Sequence, residues 1–282
     1  MKLNYSLTPS ILSYAFQIRY MDNNLPLPPE LEPFQQQIYA TQRAVVRILP
    51  KAAGPTQPWQ SKIGGTPYLP KDTAFPVSPE GRHLFFLAQI NFAEAPPLPP
   101  FPQQGILQFY ISDDDFWGLN LDNPADQSRF RVLYFSEPTT DATKLVTDFS
   151  FLPAYDELPL LLGKSFPIAF QPDVELMPAH DYRFHALFGD GFFEQFGDQE
   201  WEMYEEYMSL VFSEGHKFGG YPDFSQEDPR DPNDPMELLF QLDSGDEIDC
   251  MWGDTGIANF FIRPADLAAR DFSKVWYNWD SC

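Results

Sequence analysis

The chain has 282 residues, 43% hydrophobic and 21% charged, enough to enclose one large core or two modest ones. Its 41 acidic against 18 basic residues give a formal charge of −23, which repels phosphate backbones and anionic surfaces and argues against direct contact with nucleic acid or membrane. The two cysteines, Cys250 and Cys282, exclude a disulfide framework and a cysteine-based metal site.

So few cysteines fit a reducing cytosol, and a cytoplasmic protein is expected. No apolar run nears the roughly 20 residues of a spanning helix, and the run Ile11 to Phe16 lacks the basic and small-residue flanks of a signal peptide. Twenty-nine prolines disfavour long helices, while 27 Phe, 13 Tyr and 6 Trp suit a pleated sheet.

In chain order, residues 1–20 show no periodicity and read as an extension, loosely packed or encoded from an upstream start, with a single domain over 21–282. From Pro29 to Arg43, Leu31, Phe34, Ile38 and Thr41 recur at helical spacing with Pro33 in the first turn, which predicts an amphipathic helix. Ala44 to Leu49 reads as a strand and Lys51 to Trp59 as a Gly/Pro loop. Leu158 to Phe170 is apolar and broken by prolines. Glu194 to Phe212 reads as a helix with Trp201, Tyr204, Met208 and Val211 or Phe212 on its docked stripe and Glu200, Glu202, Glu205 and Glu206 elsewhere. Gln226 to Pro235 is expected as an exposed Pro/Asp loop. A short helix then starts at Pro264, and an aromatic tail follows with Phe272, Trp276, Tyr277 and Trp279.

Compared with itself, the chain shows three ordered similarities. Lys62-Ile-Gly64-Gly65-Thr-Pro67 answers Lys217-Phe-Gly219-Gly220-Tyr-Pro222, at an offset of 155 residues. Phe86 to Ile90 answers Leu238 to Leu242, and Gly105 to Ile111 answers Gly256 to Ile262, at offsets of 152 and 151. These blocks predict an internal duplication, repeat 1 over about 44–135 and repeat 2 over about 205–270. The fold class expected is therefore α+β: sheet-rich, mainly antiparallel, two β-rich repeats with flanking helices.

The segments SKIGGTPYLP, FLAQINF, GHKFGGYP and MWGDTG, with FFI and a closing DL, resemble the YwqG-like family of bacterial proteins, over roughly residues 21–280. The resemblance implies an α+β fold with an internal duplication, a cytoplasmic bacterial setting, and relatives encoded near toxin loci. It brings no catalytic residues to transfer.

The residues themselves offer a few candidates. Each Lys-Xaa-Gly-Gly-Xaa-Pro loop (Lys62, Gly64, Gly65; Lys217, Gly219, Gly220) could form an anion-binding nest of backbone N–H groups beside an ammonium, or could be a turn whose lysine covers apolar surface. Gln89 and Gln241, set within apolar runs, could orient a ligand or tie a loop to the sheet. Asp254 in the MWGDTG segment could be an Asx-type turn residue or could contact a ligand. Asp113 to Asp115 and the carboxylates from Asp243 to Asp254 lack calcium-loop spacing, His83, His180, His185 and His216 form no zinc motif, and Leu162-Gly163-Lys164-Ser165 lacks the first glycine of a phosphate loop. No metal, cofactor or catalytic residue is assigned.

Charge is lopsided. Residues 1–141 carry 13 acidic and 10 basic side chains, residues 142–282 carry 28 and 8, and Asp190 to Asp254 holds 19 acids against Lys217 and Arg230. The expected function is a non-enzymatic, immunity-like binding protein whose acidic C-terminal half engages a basic protein partner. The alternative is a small-ligand protein or enzyme with its site in a groove between the two repeats.

Overall fold

The computed structural model describes residues 27–282, so the expected extension over residues 1–20 lies outside the described residues. Ten strands form among the described residues: β1 (Arg43–Pro50), β2 (Lys62–Gly64), β3 (Phe85–Asn91), β4 (Ile106–Ile111), β5 (Phe130–Phe135), β6 (Ser165–Glu175), β7 (Lys217–Gly219), β8 (Glu237–Asp243), β9 (Ile257–Ile262) and β10 (Trp276–Asp280). They join in one antiparallel sheet in the order β10-β9-β8-β7-β1-β6-β2-β3-β4-β5. The sheet curls until its flanks meet, nearly closed and barrel-like. Phe109 of β4 stacks on Phe240 of β8 at 4.4 Å between ring centroids, and Phe130 of β5 lies 5.2 Å from Tyr277 of β10.

The period-2 alternation of the strands decides which side chains enter this aromatic interior. Val46 and Ile48 of β1 face inward and the intervening Arg47 faces outward. In β3 and β8 a bulge shifts the parity, between Phe86 and Ala88 and between Leu238 and Phe240. Leu87 with Ala88, and Leu239 with Phe240, therefore enter the core as consecutive residues. Beyond each bulge the glutamine, Gln89 or Gln241, is turned to the outer face, where a strictly alternating strand would have driven it into the aromatic layer.

The expected α+β protein of two β-rich repeats is corrected by this sheet. Strand β6 falls between the two similar blocks in sequence, yet it lies in the middle of the sheet, pairing β1 over eight residues from Arg43↔Glu175 to Pro50↔Ile168 and β2 at Lys62↔Pro167. No two separate β units with flanking helices exist. One continuous sheet forms, and helix is a minor component. The physical reason is that neither block has enough strands to bury its own aromatic face, so each closes over the other.

Among the described residues there are four short α-helices: α1 (Gln35–Tyr39), α2 (Tyr182–Phe188), α3 (Glu200–Leu210) and α4 (Pro264–Ala269). The helix expected from Pro29 to Arg43 shrinks to a 3-10 turn and α1, because the chain enters β1 at Arg43. The helix expected over 194–212 is broken at Gly197, which has a non-helical φ of 61°, into a 3-10 segment (Phe192–Gln199) and α3. Its buried face is also rotated. Met203 and Tyr207 are enclosed, with the Tyr207 hydroxyl donating to Met177 O at 2.6 Å, while Trp201 is 67% exposed. These residues pack with Leu31, Ile38, Phe184 and Phe193 in a second core outside the sheet.

Removing one inner ring tests the closure. Phe260 touches Phe109, Phe240 and Tyr277 at 4.8, 5.9 and 4.7 Å between centroids. Phe260→Ala is expected to cost about 3–5 kcal/mol in urea denaturation, whereas Leu121→Ala, at a residue 73% exposed, should stay within about 0.5 kcal/mol of wild type.

Candidate functional site

The outer face of the sheet is covered by loops, so its polar groups lie out of water and must find partners inside the protein. At the centre of the described sheet, Glu175 at the end of β6 and Lys217 on β7 are both fully enclosed, with Lys217 Nζ 2.6 Å from Glu175 Oε1. Arg47 Nη1 of β1 reaches the same oxygen at 2.9 Å, and the Tyr221 N–H donates to Oε2 at 2.7 Å. Gly220 has φ +71°, and a Cβ there would collide with that carboxylate, so only glycine lets the loop close over it. Burial pushes the Lys217 ammonium down to about 8, against the pull of Glu175.

Lys62 on β2 occupies the corresponding place in the other Lys-Gly-Gly loop, with a different outcome. It is 1% exposed, and its Nζ makes one hydrogen bond, to Gln57 O at 3.0 Å. No carboxylate lies within ion-pair distance of it among the described residues. Burial lowers it to about 8, and Glu94, whose Oε2 accepts from Ser61 N at 2.8 Å, is the charge that opposes the shift. Gly64 and Gly65 adopt φ +67° and +77°, and Gly219 has φ +71°.

Gln89 and Gln241 have parallel roles. Gln89 Oε1 accepts from Tyr68 N and Gln108 Nε2, and its Nε2 donates to Pro58 O and Gln60 O. Gln241 Oε1 accepts from Asp223 N, and its Nε2 donates to Ser213 O and Gly215 O. Each amide is saturated by the loops it holds on the sheet. Lys62 pairs across the ladder with Gln89, and Lys217 with Gln241. The two lysines do not converge, since β1 and β6 stand between β7 and β2. Asp254 belongs to neither group: it is exposed, and its carbonyl accepts from Cys282 N.

A buried imidazole lies near Gln241. His216 Nδ1 accepts from Asp243 N at 3.0 Å and Nε2 stands 2.9 Å from Glu247 Oε1, so both nitrogens are used and the ring is held as the Nε2–H tautomer. Burial lowers its pKa. The neighbouring Cys250 thiol is buried and pushed far up, which makes it unreactive as a nucleophile.

The acidic surface is divided. In the loop 226–235, Asp228 and Asp181 enclose Arg230, whose side chain is fully buried, and Asp234 pairs with Arg263 at 2.5 Å. The expectation of an exposed Pro/Asp loop holds for Glu227 and Asp231 but not for these residues, because Arg230 turns into the protein between the rings of Tyr182 and Phe261. On α3 and the turn before it, Glu194, Asp198, Glu200, Glu202 and Glu205 are exposed, and none has an ion-pair partner among the described residues. Trp201, flanked in sequence by Asp198, Glu200, Glu202 and Glu205, stacks on Tyr204 at 5.5 Å and 25°. The described surface includes a concavity of about 480 Å³ at Asp114, Phe116, Leu121 and Arg129 and another of about 530 Å³ between α3 and residues 27–30.

Sequence reasoning missed Glu175, Arg47 and Trp201 as an exposed ring. Glu175 and Arg47 lie in strands with no local motif, and only the strand order brings them to Lys217.

Two measurements test this account. Glu175→Gln leaves buried cations short of a counter-charge and is expected to lose about 3–5 kcal/mol in urea, whereas Lys62→Met removes a cation with no counter-ion and should be neutral or stabilising. For His216, a folded pKa below the unfolded value near 6.5 means that the unfolded chain binds the extra proton first. Its contribution is full above about pH 6.5 and is lost as pH falls through the folded value. His216→Asn, which keeps an acceptor for Asp243 N, should flatten that limb of a stability–pH curve.

No curated relative matches the chain. A family model described as a domain of unknown function (DUF1963) matches residues 61–282, which takes in every strand from β2 to β10 and both lysine loops. The chain belongs to the DUF1963 family.

Proposed function

We propose that this protein is a non-enzymatic binding protein that engages a basic protein partner through the acidic face of α3. The observation that carries the reading is the exposed Trp201, stacked on the half-buried Tyr204 and flanked along the chain by exposed carboxylates that have no ion-pair partner among the described residues. An aromatic side chain bordered by charge is the composition of a binding hot spot, in which the ring supplies affinity and the charges speed encounter. The acids of the 226–235 loop are less suited to the task, since Asp228 already holds the buried Arg230 and Asp234 pairs with Arg263. The YwqG-like resemblance of the lysine loops, with its cytoplasmic bacterial setting and toxin-adjacent relatives, makes an immunity-like role the concrete form of this proposal.

The test is affinity capture at low and high salt with three baits: wild type, Trp201→Ala combined with Glu202→Gln and Glu205→Gln, and Asp231→Asn. A stoichiometric basic protein should be retained by wild type and Asp231→Asn. The α3 variant should bind it at least about 30-fold more weakly, and high salt should weaken the wild type. Equal capture by the α3 variant, or no salt-sensitive partner for wild type, overturns the reading.

A further inference from the structure

The groove between α3 and residues 27–30 encloses about 530 Å³, within the roughly 300–1,000 Å³ typical of binding clefts. Its walls are of two kinds. Leu27, Met203 and Leu210 are apolar, and Glu30, Glu202 and Glu206 set carboxylates among them. None of these three acids has an ion-pair partner among the described residues. Glu202 and Glu206, four apart, share one side of α3, and Trp201 is not on that side.

An apolar groove edged with free carboxylates suits an occupant in which apolar side chains stand beside a cation. The chain supplies one next to the groove. Leu27, where the described residues begin, is part of the wall, and the sequence before it holds the apolar run Ile11 to Phe16 followed by Ile18 and Arg19. Residues 1–26 carry Lys2 and Arg19 against Asp22 alone, in a chain whose charge is −23. Ten residues, 17–26, separate Phe16 from Leu27, and ten residues can reach about 33–36 Å. That exceeds the length of the 11-residue α3, about 16 Å, so the run can turn back along the whole groove. A tether this short holds its end at a millimolar effective concentration, and a weak contact then suffices. We propose that the groove is the docking site for residues 11–19 of the same chain, with the apolar run against Leu27, Met203 and Leu210 and with Arg19 at the carboxylates of Glu202 and Glu206. The docked run covers one flank of the acidic face of α3 and leaves Trp201 clear, so it does not depend on a partner there.

The experiment uses the full chain, labelled with 15N, carrying a nitroxide at Glu205→Cys in a Cys282→Ser background. Position 205 is exposed on α3 and outside the groove, and Cys250 is buried and takes no label. Relative to the ascorbate-reduced sample, amide intensity is expected to be lost more deeply at residues 11–19 than at residues 20–26, although the latter are closer to Leu27 along the chain. A loss that fades steadily from residue 26 toward residue 1 is what a tether alone produces, and it overturns the proposal. Phe16→Asp with Arg19→Glu should restore the intensities at 11–19 and shift the Met203 and Leu210 amides; intensities that stay low in this variant also overturn it. A mixture of nitroxide-bearing chain without 15N and 15N chain without nitroxide should show no loss. Loss in the mixture assigns the groove to a second copy and overturns docking within one chain.

Discussion

A single carboxylate removed from water sets the terms for the middle of the sheet. Glu175 answers Lys217, Arg47 and the Tyr221 amide at once, and these groups come from β7, β1 and the loop after β7. Without it Lys217 would be an enclosed cation lacking its counter-charge and the Tyr221 amide would lose its acceptor, both of which are costly. The curled sheet depends on this tie. Its inner face is packed with stacked rings, so the amides and charged side chains of the central strands lie on the outer face, where the covering loops settle over them. Gln89 and Gln241 do the same work with neutral amides, two loop carbonyls to each Nε2.

Much of this was legible in the sequence at short range. The strand after Arg43, the lysine–glycine loops and the glutamines within apolar runs were visible because each is a local pattern of period or residue type. The sheet order was not. Similar blocks at nearly constant offset suggested two units, but nothing local says that β6 inserts between them or that aromatic faces from both must meet. The bulges were equally hidden, since a run such as Phe86-Leu87-Ala88-Gln89 gives no sign of where two consecutive residues face the same way.

Site residues divide along the same line. Lys62 and Lys217 look alike in sequence, and what separates them is Glu175, 42 residues before one lysine and without equivalent near the other. The acidic half of the chain likewise read as one field of charge. In the folded protein it separates into carboxylates that hold Arg230 and Arg263 and carboxylates of α3 that face water. Trp201 was misplaced because the buried face of α3 is centred on Met203 and Tyr207, which lie on the other side of the helix from it.

The placement of β1 also governs how the chain can be assembled. Its neighbours in the sheet, β6 and β7, come far later in sequence; the contact of Arg47 with Asp173 spans 126 residues and that with Glu214 spans 167. Contacts of such separation slow folding, because long loops must close before they are rewarded. During synthesis the β1 segment therefore emerges before either strand that will pair with its edges, as the apolar residues Ala44-Val45-Val46 and Ile48-Leu49 separated by Arg47. The arginine that later serves Glu175 interrupts that apolar run, and a charge in such a position deters one nascent chain from pairing with another.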